Sequence, residues 1–239
     1  MLRYFISDLH LQQARPEITR ALLYFLNKIA PGADELYLLG DIFEAWIGDD
    51  YADPIISQVA PAFEALQHAG TRIYILHGNR DFLIGQKGAA ALSAELLPAY
   101  QRLMLKQGEA VILHGDELCL DDLEYQRFRQ QVRSTEWQSR FLNKPLSERL
   151  AIAKHLRESS REAGTMKSDA IMDVTPSAVE QLFDKLGVQL IIHGHTHRPY
   201  RHQYPQGERI VLGDWGDDGW YLRSDDKSLE LVHFTTPTD

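Results

Sequence analysis

Seven side chains of this sequence are of the types that bind divalent cations, and they occur in five short motifs. Carboxylate, imidazole and amide-oxygen donors, with no thiolate among them, favour Mn²⁺, Fe or Zn²⁺. Two metals about 3.5–4 Å apart need a bridging carboxylate and several further ligands each, which seven donors can provide. The candidate metal ligands are Asp8, His10, Asp41, Asn79, His114, His195 and His197.

Each motif by itself is weak evidence for a metal site. A lone Asp or His is more often structural or solvated, and the Gly78-Asn79 pair alone would suggest only a turn. Gly194-His195-Thr196-His197 is stronger, although it could also form a mononuclear site. The five motifs in this order indicate one dinuclear centre of the kind that cleaves phosphorus–oxygen bonds.

The elements that would position these motifs are short apolar runs, one before each motif. The runs are continuous rather than alternating, which is typical of strands buried on both faces. Because ligands bind beyond the carboxyl ends of such strands, five motifs can meet in one crevice. Strand alternation would place Asp8 and His10 on one side, and likewise His195 and His197. The five runs are residues 4–6, 36–39, 73–76, 111–113 and 190–192.

Helical patterns between the strands predict an α/β fold. Residues 16–29, 54–69 and 176–186 each open on a proline and close near a glycine. Later strands are predicted at residues 210–212, 220–222 and 229–234. Residues 121–169 lack a strand-like run and predict two amphipathic helices, 122–142 and 146–162. We interpret them as a helical cap inserted into one domain of residues 1–239.

Composition excludes several classes of protein. The formal net charge of −9 argues against a nucleic-acid partner, whose binding needs clustered Lys and Arg. The single Cys119 cannot form an intrachain disulfide, which fits a cytoplasmic protein. Asp8 and His10 interrupt the region where a signal peptide would be apolar, and no apolar run is long enough to span a bilayer. Nothing in the sequence indicates an obligate protein partner.

Taken together, the motifs closely resemble the calcineurin-like metallophosphoesterase superfamily over nearly the whole chain. The resemblance implies a β-sandwich of two mixed sheets flanked by helices, in place of a single open sheet. It implies one metal on Asp8, His10, Asp41 and His197, with Asp41 as the bridge. The second metal is implied on Asp41, Asn79, His114 and His195. A hydroxide between the two metals would be the nucleophile.

The residue after Asn79 departs from the superfamily. Many members have a His there that acts as a general acid, whereas this chain has Arg80, which does not release a proton at neutral pH. A leaving group that needs no proton, such as phosphate from a diphosphate bond, fits this change. Arg80 and the bridging Asp41 are therefore the residues expected to act in catalysis, Arg80 by neutralising phosphate oxygens.

This departure and the segments around the motifs resemble one subgroup, which acts in lipid A synthesis. The segments are ISDLHL, LGDIFEAWIGDD, HGNRDFL, HGDELCLDD, IMDV and HGHTHRP. The resemblance implies hydrolysis of UDP-2,3-diacylglucosamine to UMP and 2,3-diacylglucosamine 1-phosphate. It also implies two Mn²⁺ per subunit and a peripheral position on the cytoplasmic face of the inner membrane.

Substrate contacts follow from the same resemblance. The subgroup implies contacts from Asn79, Arg80, Asp122, Ser160, Lys167 and His195. Tyr125 and Arg157 are two further expected contacts, because both lie in the helical cap. An apolar chamber for the acyl chains could be formed by Trp46, Phe128, Val132, Trp137, Phe141 and Ile152, although packing of the cap against the core would explain these side chains equally well.

Two alternative functions stay open on the sequence. One is a metallophosphoesterase acting on soluble nucleotides such as dinucleoside polyphosphates, which the helical insertion disfavours. The other is a non-catalytic scaffold with the same fold. Scaffolds of this kind usually lose metal ligands, whereas this chain has a residue of the right type at all seven positions.

Overall fold

The computed structural model describes residues 1–166, 171 and 173–237, and these form two mixed β-sheets with helices outside them. The first sheet has the order β11-β10-β1-β2-β3-β4. Its strands are β1 (Arg3–Ile6), β2 (Glu35–Leu38), β3 (Arg72–Ile75), β4 (Ala94–Leu96), β10 (Asp218–Ser224) and β11 (Leu229–Thr235). The second sheet has the order β5-β6-β7-β9-β8. Its strands are β5 (Gln101–Leu105), β6 (Gly108–Ile112), β7 (Leu190–His193), β8 (Tyr200–Tyr204) and β9 (Gly207–Val211).

The strands that precede the five motifs are parallel to one another within each sheet. In the first sheet β1, β2 and β3 are parallel, with Phe5 opposite Tyr37 and Tyr37 opposite Tyr74. In the second sheet β6 and β7 are parallel, with Ile112 opposite Ile192. The carboxyl ends of parallel strands lie at one edge of a sheet, so each sheet presents its motif loops together.

The two sheets pack face to face through apolar side chains. Phe5 and Leu76 of the first sheet share a buried cluster with Ile112, Ile192 and Leu212 of the second. Alternate residues of the same strands point outwards, because successive side chains of a strand lie on opposite faces. Burial on both faces explains why the central strands have continuous apolar sequences.

Helices cover the outer faces of both sheets. On the first sheet lie α1 (Pro16–Tyr24), which continues as a π-helical turn over Phe25–Ile29, α2 (Pro54–His68) and α3 (Gln86–Ala91). On the second lies α7 (Pro176–Leu186), which ends at Gly187 in a left-handed conformation. The α/β fold with two mixed sheets, which the resemblance implied, is confirmed. Among the described residues, no helix combines the length and apolar character needed to cross a bilayer.

Within residues 121–166, the described part of the predicted cap, the chain forms three α-helices where the sequence predicted two. They are α4 (Leu123–Val132), α5 (Thr135–Leu142) and α6 (Leu146–Met166). The predicted helix 122–142 is interrupted because Ser134 adopts an extended backbone and caps α5, its Oγ accepting a hydrogen bond from the Trp137 N–H at 3.3 Å. The extent of the cap as a domain insertion stays a prediction.

The strands that the sequence analysis missed are edge strands. β4 lies at one edge of the first sheet, and β5 and β8 form the two edges of the second. Their side chains are largely half-buried or exposed, and β4 and β8 have no continuous apolar run, whereas the short run of residues 103–105 in β5 was not singled out. The short helix α3 was also missed. The three edge strands form because they pair with a neighbouring strand, and not because of their local sequence pattern.

Replacing Ser134 with Ala should lower the free energy of unfolding by about 1 kcal/mol, because the N-cap acceptor of α5 is lost. Urea titration followed by circular dichroism measures this difference. Ser139→Ala is the matched control, since Ser139 is exposed in the same helix and Ala favours helix interiors. Equal stabilities for the two variants would mean that the α4–α5 junction does not depend on the cap.

Candidate metal centre

The structure brings the seven predicted metal ligands together beyond the carboxyl ends of five strands. They lie on the loops that follow β1, β2, β3, β6 and β7. Asp8, His10, Asp41 and His114 are buried, whereas Asn79, His195 and His197 line a cleft. The residues so placed are Asp8, His10, Asp41, Asn79, His114, His195 and His197.

One group of donors contains Asp8, His10 and His197. Nε2 of His197 lies 3.3 Å from Oδ1 of Asp8 and 3.3 Å from Nε2 of His10. A cation bound at about 2.0–2.2 Å from each donor would leave the donors about 3.0–3.5 Å apart. The spacing of this trio therefore fits a single cation.

A second group of donors adjoins the first. Oδ1 of Asn79 lies 2.9 Å from Nε2 of His114 and 3.0 Å from Nδ1 of His195. Oδ1 of Asp41 lies 3.7 Å from Nε2 of His114. Asp8, Asp41 and His114 also offer ligand atoms within 4.8 Å of one another. Asp8 thus lies close to both groups, and the bridging role of Asp41 stays a prediction.

The backbone at these positions is strained. Six non-glycine residues in the described part of the chain have positive φ, and five of them are proposed ligands. Residues other than Gly rarely adopt a positive φ, and residues with such strained backbone are found most often at functional sites. The sequence predicted that strand alternation would align the paired ligands, but they lie past the strand ends in left-handed turns instead. The five are Asp8, His10, Asp41, His195 and His197.

Hydrogen bonds between loops hold this conformation. The N–H of Asp8 donates to O of Gly40 at 3.1 Å, and the N–H of His10 donates to O of Asp41 at 3.0 Å. The loops after β1 and β2 therefore run side by side. Gly78 allows the β3 loop to approach them, since a Cβ there would lie 2.1 Å from Oδ1 of Asp41.

Asp81 braces the site, a role that the sequence analysis did not assign. Its carboxylate accepts hydrogen bonds from the N–H groups of Asp41, Ile42 and Gly78 at 2.8–3.2 Å. Burial and the nearby charge of Asp41 raise its pKa. The signal was present in the sequence as the last residue of Gly-Asn-Arg-Asp. Its function as an acceptor for two loops became visible only in three dimensions.

Neighbouring groups orient the candidate ligands. Nδ1 of His114 donates to O of Leu39 at 2.9 Å, which leaves Nε2 as the atom that faces the site. Oδ2 of Asp8 accepts hydrogen bonds from Oγ of Ser7 at 2.6 Å and from the N–H of His195 at 2.9 Å. Ser7 was not singled out from the sequence, because one serine before an Asp-x-His motif carries no distinctive signal.

The site concentrates buried negative charge. Burial would raise the pKa of Asp8, but its contact with His197 and the charges of nearby imidazoles hold that pKa well below its usual range. Burial would lower the pKa of His114, yet the Asp41 and Asp8 carboxylates raise it to about 9. Burial and the positive charge of His114 lower the pKa of His195 to about 4. Two buried carboxylates thus draw positive charge into the site.

The donors suit divalent cations. Oδ1 of Asp8 is buried and accepts no well-aligned hydrogen bond from the described residues, although Nε2 of His197 lies 3.3 Å away. A bound cation would satisfy this oxygen, since a buried charged oxygen without a hydrogen bond is costly. The imidazole, carboxylate and amide set fits Mn²⁺, Fe or Zn²⁺ better than a softer metal.

A cleft of about 490 Å³ opens over the metal donors, between α4 and α6. Seven of the eight predicted substrate contacts line it: Asn79, Arg80, Asp122, Tyr125, Arg157, Ser160 and His195. Lys167 lies outside the described residues. Of the six apolar side chains considered for the chamber, Phe128 lines the cleft, together with Leu156. The remaining five are buried or half-buried in packing, as with the stacked rings of Trp137 and Phe141.

Two guanidinium groups have donor atoms available at this cleft. Nε of Arg80 and NH1 of Arg157 are buried without a hydrogen-bond acceptor among the described residues. Both side chains approach Glu44, with nitrogen–oxygen distances of 3.8 and 4.0 Å. Nδ1 of His10 lies 3.4 Å from the same carboxylate. Glu44 therefore connects the candidate metal ligand His10 to two cationic groups, which the sequence did not predict.

Comparison with known proteins agrees with this site. Residues 1–199 match the calcineurin-like phosphoesterase family. The UDP-2,3-diacylglucosamine hydrolase of Chromohalobacter salexigens is 49% identical over 231 residues, covering 95% of this chain and 94% of that protein. The protein of the same name from Hahella chejuensis is 46% identical over 96% of each chain. The one from Cellvibrio japonicus is 47% identical over 95% of this chain and 96% of that protein.

Replacing Asp41 with Ala should remove at least one of two bound cations per chain and abolish hydrolysis, because the carboxylate expected to bridge the two cations is lost. Elemental analysis of protein equilibrated with Mn²⁺ measures the metal content. Asp184→Ala, which changes an exposed Asp on α7, is the matched control. Two retained cations with turnover near that of the unaltered protein would refute the dinuclear site.

Proposed function

The chain belongs to the calcineurin-like phosphoesterase family, and from this premise we propose that it hydrolyses the diphosphate bond of UDP-2,3-diacylglucosamine. The products are UMP and 2,3-diacylglucosamine 1-phosphate, also called lipid X, an intermediate of lipid A synthesis. The observation that carries this proposal is the convergence of seven metal-binding side chains beneath a cleft that also exposes two arginines. Near full-length similarity to three hydrolases of this substrate supports it.

The proposed cofactor is a pair of Mn²⁺ ions, with Fe or Zn²⁺ as the other metals that the donor set suits. Asp8, His10, His197 and Asp41 would hold one ion, and Asp41, Asn79, His114 and His195 the other. When bound, two such cations lower the pKa of coordinated water and neutralise charge on phosphate oxygens. The two groups of donors and the buried Asp8 oxygen support this assignment.

Arg80 would bind phosphate oxygens rather than transfer a proton. Its backbone N–H donates to Oδ1 of Asp41 at 2.8 Å, which fixes the residue beside the metal donors. Its Nε is buried and has no hydrogen-bond acceptor among the described residues, and the same is true of NH1 of Arg157. A diphosphate carries negative oxygens on both phosphorus atoms, so two guanidinium groups complement it. The leaving phosphate needs no general acid, which fits an arginine at this position.

The remaining contacts would bind the sugar and its acyl chains. Asp122, Ser160 and Lys167 are proposed polar contacts to the substrate, together with Asn79 and His195. Tyr125, Phe128 and Leu156 provide apolar surface along the same cleft. This combination of apolar wall and few polar groups is typical of sites for amphipathic ligands. It favours the diacylated substrate over a soluble dinucleotide.

We further propose that the protein acts as a peripheral protein at the cytoplasmic face of the inner membrane. A substrate with two acyl chains is stably anchored in a bilayer, so the enzyme must reach it there. Leu123 is 63% exposed and Phe128 is 36% exposed on α4, beside the cleft. These side chains are suited to contact the acyl region of a lipid.

Replacing Arg80 with Ala should reduce kcat/KM about tenfold to a hundredfold while leaving the metal content unchanged, because a charged hydrogen bond to phosphate is lost. Steady-state kinetics with elemental analysis of the same samples measures both quantities. Arg80→Lys is the control and should be intermediate, since it keeps the charge but loses the planar fork. A fall in metal occupancy would show that Arg80 holds the metal loops instead.

The direct test of the function is mass spectrometry of the products. Metal-free protein is incubated with detergent-dispersed UDP-2,3-diacylglucosamine and Mn²⁺, and parallel reactions contain Mg²⁺, Zn²⁺, Fe²⁺ or EDTA. We expect UMP and the acylated sugar 1-phosphate, with most product in Mn²⁺ and none in EDTA. Intact substrate, alongside cleavage of a dinucleoside polyphosphate, would transfer the assignment to soluble nucleotides.

A further inference from the structure

Helix α4 forms a wall of the cleft with little apolar anchoring of its own. Among its described residues Val132 is the buried one, whereas Leu123 and Phe128 are largely exposed. Most helices are positioned by burying an apolar face against a core. A different interaction must therefore hold α4 over the metal centre.

The face of α4 that points towards the core is polar. Tyr125 and Arg129 are four residues apart on the helix, and Arg133 at its end continues the same spacing, so the three lie along one side. Oη of Tyr125 donates to Oδ2 of Asp116 at 2.6 Å, and Nε of Arg129 donates to the same oxygen at 2.7 Å. NH2 of Arg133 lies 3.9 Å from that oxygen. All three side chains converge on one carboxylate.

Asp116 lies in the interior, with 1% of its surface exposed. A buried carboxylate without partners is strongly unfavourable, so this one depends on the donors that α4 supplies. Its loop is joined to α4 a second time, because Nε2 of Gln126 donates to the backbone oxygens of Asp116 and Cys119 at 2.8 and 3.1 Å. The helix and the loop thus stabilise one another through charge and hydrogen bonds.

The same contacts reach three of the metal-ligand loops. Asp116 follows His114 by two residues in the β6 loop. NH2 of Arg133 donates to O of Gly78 at 2.8 Å, directly before Asn79 in the β3 loop. The ring of Tyr125 stacks on that of His195, with centroids 6.0 Å apart and planes at 28°. The position of α4 is therefore tied to the positions of the ligands.

We propose that Asp116 is a positioning residue for the reaction. Its carboxylate docks α4 on the loops that carry the candidate metal ligands and holds Tyr125 against His195. The cleft wall is then held at one distance from the candidate metal ligands, so that the diphosphate and the acyl chains would bind together. This role rests on the proposed function, but the docking of α4 can be measured without substrate. Asp116 acts through Tyr125, Arg129 and Arg133.

The test combines a double-mutant cycle with hydrogen exchange. Asp116→Asn keeps the size of the side chain and removes its charge, and Tyr125→Phe removes one hydroxyl and keeps the ring on His195. Asp116→Asn should lower kcat/KM about tenfold or more, mainly through KM, since a hydrogen bond to a charged group is lost and the cleft wall shifts. Adding Tyr125→Phe to Asp116→Asn should cost much less than it does alone, because both changes break one contact.

Hydrogen exchange detects the docking directly. Amides of residues 123–132 should exchange about tenfold faster in Asp116→Asn, while amides of β1 and β2 and the Mn²⁺ content stay unchanged. Glu109→Gln is the matched control, since Glu109 on β6 forms a surface ion pair with Arg102 on β5, in which NH2 of Arg102 and Oε1 of Glu109 lie 2.7 Å apart. It should change neither the kinetics nor the exchange of α4.

Several outcomes would overturn the proposal. Unchanged exchange in α4 refutes the docking role, and independent effects of the two substitutions refute the action through Tyr125. Arg129→Gln breaks the same pair from the helix side, so it replaces Asp116→Asn should that variant not fold. An unaltered protein that does not cleave the UDP-sugar refutes the proposed function alone, because the exchange experiment still decides the role of Asp116.

Discussion

Two carboxylates, Asp8 and Asp41, lie almost fully buried among imidazole rings, on the loops that follow β1 and β2. Such charges are stable in a protein interior only when positive groups surround them. Here His114, His197 and the guanidinium of Arg80 lie within 3.7 Å of one carboxylate or the other. Divalent cations would satisfy the same requirement more fully. The need to balance buried negative charge therefore explains both the composition of the site and the strain around it.

The strained turns follow from this constraint. Left-handed backbone at five ligand positions costs free energy at each, and only surrounding structure can maintain it. The parallel strands supply rigid starting points, and Asp81 ties the β2 and β3 loops together by accepting hydrogen bonds from four backbone N–H groups. The stability of the sheets therefore offsets the strain of these turns, and the donor atoms are held in place for cations. Pre-organised donors need no rearrangement when charge develops during phosphoryl transfer.

The helices over the cleft are attached by different forces. Helices α5 and α6 contact the main core through apolar side chains such as Phe141, Trp137 and Ile152. Helix α4 instead meets the metal-ligand loops through a buried charge at Asp116. Apolar packing tolerates small shifts, whereas hydrogen bonds to a charge fix direction and distance. The wall that meets the candidate metal loops is thus attached most directionally, which suits a site that would align a diphosphate with bound metal.

The sequence by itself determined which residues could bind metal, the central strands that carry them and the family. This was possible because ligand type is a local property, and because strands buried on both faces have continuous apolar sequences. The edge strands β4 and β8 left no such pattern and β5 only a run of three apolar residues, since pairing with a neighbour forms these strands. The break at Ser134, the left-handed turns and the roles of Asp81, Glu44 and Asp116 were decided only by the tertiary structure. Each depends on groups distant in the chain, such as Asp116 and Arg133, whose meeting no local pattern encodes.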